Sequence, residues 1–119
     1  VDETQMIGDA SAAADAWLER ADAGDAEGTW EGTSSLFRQL VDLPQWKATF
    51  AQVESIFGRT LSRELSTTDC RESIPGGPDG HYVVLEYEAE FERKKEAVET
   101  VVTTLDTDGR WRVGGYFVR

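Results

Sequence analysis

The 119 residues include one cysteine, one histidine and one methionine. With Cys70 alone an intrachain disulfide is excluded, and the pattern neither demands nor excludes an oxidising compartment. Cys70 stands beside Arg71, a neighbour that lowers a thiol pKa, but a catalytic thiol also needs a base, and His81 is the sole histidine. No close His/Cys set is present, so a metal site of that kind is not expected. No cofactor motif is found either: the glycine-rich stretch Pro75–Gly80 lacks the lysine and the strand–loop–helix setting of a phosphate-binding loop. No apolar run approaches the ~20 residues of a membrane span. Basic residues are scarce, 12 against 23 acids, for a net charge of −11. That field repels nucleic acid and anionic lipid, and neither is expected as a partner. Internal repeats and low-complexity segments are lacking too.

What is present is enough for one domain with a real core over residues 1–119. Acid is uneven along it. Residues 1–57 carry a net charge of −8 and residues 58–119 a net of −3, so the first half is the more acidic layer.

The second half is organised as strands. From His81 to Phe91, apolar odd positions alternate with Glu86, Glu88 and Glu90, the mark of a half-buried antiparallel strand. The spacing predicts strands over about 81–92, 96–106 and 110–119, with loops at Arg93–Lys95 and Thr107–Gly109. Both loops pair odd with odd positions, which share a face. The inner face then holds Val83, Leu85, Tyr87, Phe91, Val101, Leu105, Trp111, Val113 and Phe117. It also holds Glu99, a carboxylate among apolar side chains. Glu86, Glu88 and Glu90 are expected to pair with Arg or Lys on neighbouring strands.

The first half reads as helices over about 4–23, 26–41 and 44–57. Met6, Ile7, Ala10, Ala13, Ala14, Trp17, Leu18 and Ala21 form one apolar stripe. Asp2 caps its start and Gly24 stops it. Gly28 and Gly32 lie inside the second helix, a cost that close packing or a break into two short helices would explain. Pro44 suits the first turn of the third helix. A further strand is predicted over about 59–66, with Leu61, Arg63 and Leu65 on its apolar side, then a loop from Ser66 to Gly80. Helices first and antiparallel strands after gives an α+β fold: three N-terminal helices on a curved four-stranded antiparallel sheet, a cone with an open mouth.

An ordered set of segments then carries a resemblance: Trp30-x-x-x-Ser34-x-x-Phe37, Trp46, Gly58-x-x-x-Ser62-Arg63, Pro75-Gly76-x-Pro78-x-Gly80-x-Tyr82, Tyr87-x-x-x-Phe91, Glu99-Thr100-Val101 and Gly109-x-Trp111-x-Val113-x-Gly115-Tyr116. In this order, over nearly the whole chain, they resemble the bacterial family called domain of unknown function 4019. The resemblance implies a cystatin-like, or nuclear-transport-factor-like, cone. It also implies an exported protein, periplasmic or secreted. A chain that starts at Val1 fits the expectation that an N-terminal segment such as a signal peptide has been removed. No activity comes with the family, and fold does not supply one.

Glu99 has three readings: an ordinary rim glutamate, a structural pair with Arg63, or a general base or ligand anchor. His81, at a strand start, reads first as a surface residue. The candidate pocket residues are Trp30, Phe37, Trp46, Arg63, Tyr87, Glu99 and Trp111, most of them equally at home in a core. The function expected is a non-catalytic module that binds a small apolar ligand or a protein partner, with a homodimer through the outer sheet face as one form. The alternative is a small-molecule enzyme of dehydratase, isomerase or cyclase type, with Glu99 as its acid or base.

Overall fold

A computed structural model describes residues 2–119. Four helices come first, then a four-stranded antiparallel meander, an α+β fold. Helix α1 (Glu3–Asp22) starts at Asp2, whose carboxylate accepts the Thr4 N–H at 2.9 Å. It buries Ala10, Ala14, Trp17 and Leu18. The small alanines let the helix lie close on the sheet, where these residues join Val83, Leu85, Tyr87, Val101 and Val113 in one core.

The expected helix over 26–41 is two helices, α2 (Ala26–Glu31) and α3 (Ser35–Leu40), so the helical layer has four members rather than three. Long-range contacts make the break. Gly32 accepts the Val113 N–H at 3.1 Å, and Ser34 donates its N–H to the Val113 carbonyl at 2.8 Å. The Gly32–Ser34 backbone therefore runs beside the last strand and leaves the helical path. Gly32 fits because a Cβ there would sit 3.0 Å from the Trp17 ring. Ser34 then caps α3 through the Phe37 N–H at 3.2 Å. Asp106 holds the same end, accepting the Ser35 N–H at 2.9 Å and its hydroxyl at 2.7 Å. Helix α4 (Leu43–Phe57) opens on a reciprocal cap between Asp42 and Gln45, with Pro44 in its first turn, and ends at Gly58 with φ +73°.

The strands β1 (Thr60–Arg71), β2 (Tyr82–Phe91), β3 (Lys94–Leu105) and β4 (Trp111–Val118) are adjacent in chain order. β1 is longer than the expected 59–66, taking in Ser66–Arg71 from the expected loop. Its polar Ser/Thr run carries no apolar alternation because it lies at the sheet edge and is largely exposed. Bulges at Leu61 and Ser66 interrupt its ladder. Leu61 is therefore an exposed bulge residue rather than a core one. Leu65 stands opposite Tyr87 but remains 43% exposed at the edge.

The β2–β3 turn is two residues, Glu92 and Arg93, not three. Ala89 pairs Ala97 and Tyr87 pairs Glu99. That register is two residues from the expected one, so its parity is unchanged and Glu99 stays on the inner face. The Thr107–Gly109 loop is as expected, closed by the Asp106–Arg110 pair at 2.8 Å, with Gly109 at φ +81°. Beyond it the register shifts once more. Val102 pairs Gly115 but Thr103 pairs Val113, so Gly114 is an extra residue. The bulge reverses the last four positions of β4: Tyr116 turns inward, and Phe117, expected inside, is 61% exposed.

The outer carboxylates are less paired than expected. Glu86 meets Arg119 at 3.2 Å, but among the described residues neither Glu88 nor Glu90 has an ion pair. Glu88 stands opposite Glu64, a like charge.

Candidate functional site

Helix α4 packs closely against α2 and stands off the sheet. Its first half is tied down by Trp46, whose ring N–H donates to the Ala26 carbonyl at 3.1 Å and to the Thr29 hydroxyl at 2.9 Å. Its last turn is tied to the β2–β3 turn. Arg93 donates its N–H to the Phe57 carbonyl at 3.0 Å and its guanidinium to the Ser55 carbonyl at 3.1 Å. Between the two ties, Thr49, Phe50, Val53 and Glu54 face a gap above the sheet. The gap is a pocket of about 400 Å³, within the ~300–1,000 Å³ usual for small-ligand sites.

Rings wall it. Trp17 of α1 lies 6.2 Å from Trp46 and 5.3 Å from Tyr116, centroid to centroid. Phe37 meets Trp46 edge-on at 5.6 Å, Phe50 lies 6.2 Å from Trp46, and Phe57 lies 5.5 Å from Phe91. All seven rings line the space. A wider groove of about 750 Å³ lies on the outer face, between the Pro75–Gly80 loop, Leu36 and Leu40 of α3, and Phe117. The inner pocket is the candidate site because it lies between layers and its apolar walls converge on charged groups.

Those groups form one network. Arg63 on β1 donates from Nε to Glu99 Oε1 at 2.6 Å and from Nη2 to Oε2 at 3.1 Å. The Tyr116 hydroxyl also donates to Oε2. On the other side of the guanidinium, Asp22 at the end of α1 accepts from Nη1 at 2.8 Å and from Nη2 at 3.1 Å. The Thr60 hydroxyl donates to Asp22 at 3.1 Å. Arg63, Asp22, Thr60 and Tyr116 line the pocket, while Glu99 lies behind them, fully buried. Of its three readings, the structure brings about the pair with Arg63.

Burial opposes the charge on Arg63, but its bonds to Asp22 and Glu99 outweigh that, and its pKa stands above the ordinary arginine value. Tyr116 is also raised, by burial first and then by the charge and hydrogen bond of Glu99. Tyr87 is raised by burial and by Asp15, which accepts its hydroxyl at 3.3 Å. In both tyrosines the folded state favours the neutral phenol. The stability this gives is complete below the ordinary value of about 10 and is lost as pH climbs through the higher folded value. Absorbance titration near 295 nm should therefore show two of the three tyrosines ionising late, and Tyr116→Phe should remove one of them. A Tyr116→Phe variant that loses no late step in the intact fold would contradict the network.

The sequence candidates divide cleanly. Phe37, Trp46 and Arg63 line the pocket, with Glu99 directly behind. Trp30, Tyr87 and Trp111 do not line it. Trp30 donates its ring N–H to the Val41 carbonyl at 2.9 Å, Tyr87 is core, and Trp111 packs against the core. Trp17, Phe50, Phe57, Phe91, Tyr116 and Asp22 were not among the candidates. The pair Gly114-Gly115 was the available signal for Tyr116, since glycine inside a strand marks a bulge. His81 is exposed and lines neither space. Cys70 belongs to a strand, and its thiol pKa is raised, by burial, Glu3 and Asp69, where Arg71 was expected to lower it. Arg71 instead donates to Asp69 at 2.7 Å.

The family model described as "Protein of unknown function (DUF4019)" matches residues 13–116, a span that holds every residue of the network and every ring of the pocket. No curated protein and no solved structure shows significant similarity to the chain.

Proposed function

The chain belongs to the DUF4019 family, and we propose that it is a non-catalytic binding protein that holds one small, largely apolar molecule between α4 and the sheet. The fold this reading assumes is a cystatin-like or nuclear-transport-factor-like cone, with α4 over its mouth. One observation carries the proposal: α4 is fastened at both ends and keeps an aromatic-walled space of about 400 Å³ open beneath its middle. Apolar surface left facing a void loses its packing contacts, and an apolar occupant restores them.

The sealing of Glu99 favours binding over catalysis. Both its oxygens accept hydrogen bonds, one from Arg63 and the other from Arg63 and Tyr116. A general base must reach the proton it takes, and these donors stand between this carboxylate and the pocket. In the runner-up reading, a protein-interaction module, the surface used by a second copy is the outer groove beside Leu36, Leu40 and Phe117.

Titration with N-phenyl-1-naphthylamine, a neutral apolar fluorophore, tests the pocket. It should bind once per chain, gain fluorescence, and quench the emission of Trp17 and Trp46. Val53→Trp places a ring in the gap from the α4 side and should abolish binding while circular dichroism stays unchanged. Equal binding by this variant would place the probe elsewhere and end the proposal.

A further inference from the structure

The charged end of the pocket has a sign, and the sign selects a class of ligand. Asp22 is the last residue of α1, and the helix C-terminus adds its partial negative charge there. Arg63 brings one positive charge against two carboxylates, Asp22 and Glu99, which leaves the network negative. Its N–H groups are nearly all used, with one of the five free. Asp22 keeps spare acceptor capacity: Oδ2 takes one hydrogen bond from the protein, and the side chain is 40% exposed. Glu54 faces the same end from α4, with its carboxylate beside Gly24, and has no ion-pair partner among the described residues.

The remaining arginines of the lining, Arg59 and Arg93, belong to the chain entering β1 and to the β2–β3 turn. Arg93 is bound to the Ser55 carbonyl in the last turn of α4, and Arg59 lies 3.7 Å from Glu92. An anionic head placed against Asp22 would face the charges of Asp22, Glu54 and Glu99, with a single Arg63 N–H free to receive it, in a chain of net charge −11. A cationic head would meet open carboxylate oxygens of Asp22 in a space that the Trp17 and Tyr116 rings also line, and aromatic rings attract ammonium groups.

We propose, building on the pocket described under Proposed function, that its ligand is a cationic amphiphile: an alkyl- or arylammonium compound with its head against Asp22 and its apolar body among the rings. The recognition is by sign as well as by shape.

The test is displacement of N-phenyl-1-naphthylamine by decylammonium, decanol and decanoate, below their micellar concentrations and at low ionic strength. These share a chain and differ in charge. The expected order is ammonium first, alcohol second and carboxylate last, with about tenfold between the first and last. Asp22→Asn should shrink that ratio toward unity. Glu54→Gln, on an exposed helix position that carries no fold-holding contact, should shrink it in part. Glu88→Gln, which removes the same charge from the outer sheet face, should leave it unchanged. Decanoate displacing the probe as well as decylammonium does would overturn the head-group assignment while leaving the pocket standing. So would an equal loss of the ratio in Glu88→Gln, because the preference would then belong to the general field of the protein. If neither the fluorophore nor any of the three binds, the pocket reading falls, and this inference with it.

Discussion

Replacing Arg63 by alanine should cost the fold about 3–5 kcal/mol, because it leaves Glu99 fully buried with only the Tyr116 hydroxyl as partner. Glu99→Gln should cost about 3 kcal/mol, somewhat less, since the amide keeps one acceptor for Arg63 and Asp22 still neutralises the guanidinium. Each drop corresponds to a fall in Tm on the order of 10 °C. The double variant should lose less than the sum of the two, by about 1–3 kcal/mol, because the second substitution removes a group the first has already stranded. Denaturant unfolding of the wild type, both single variants and the double variant closes this cycle. Additive and near-zero effects would mean the pair is decoration, and with it the sealed floor of the pocket.

The second large effect belongs to Trp17. It is 4% exposed, touches the rings of Trp46 and Tyr116, and donates its ring N–H to the Thr29 carbonyl at 2.8 Å. It joins α1, α2, α4 and the sheet at one point. Trp17→Ala should destabilise the chain by about 3–5 kcal/mol. Trp17→Phe should cost about 1 kcal/mol for the hydrogen bond, on top of a smaller packing loss. The Thr29 carbonyl is not orphaned in either variant, because it also accepts the Gly32 N–H at 3.2 Å. A small loss in Trp17→Ala would show that the helical layer is held by other contacts. Equilibrium unfolding followed by circular dichroism measures both variants.

Parts of this arrangement were legible in the chain because they are local or periodic. The alternation from His81 to Phe91 set the faces of β2. Glu99 was placed on the inner face from an expected three-residue turn; the actual two-residue turn sets Phe91 opposite Lys94, and one extra residue between Lys94 and Ala97 restores the odd pairing. Arg63 was named as its partner because an arginine on an apolar side needs an acid. What the sequence did not carry is what depends on distant chain segments. The helix break at Gly32–Ser34 is made by β4, some eighty residues further on; Gly28 and Gly32 left close packing or a break open as explanations, and the local pattern did not decide between them. The extension of β1 to Arg71 rests on pairing to β2, with no buried face of its own to produce a pattern.

The bulge at Gly114 is the most consequential miss. One extra residue exchanges Phe117 for Tyr116, and with that exchange Glu99 gains its third donor and the pocket gains a ring. The stand-off of α4 was equally hidden. Trp46, Phe50, Val53 and Phe57 read as an ordinary core stripe, and nothing in their spacing says that the stripe faces a space rather than the sheet.

Native mass spectrometry of the protein incubated with N-phenyl-1-naphthylamine tests the central claim most directly. The account predicts one probe molecule per chain in the wild type, lost on denaturation, and none in Val53→Trp. A bare chain under conditions that preserve the fold, or equal binding by the filled variant, would contradict it. A dimer without probe would move the function to the outer sheet face.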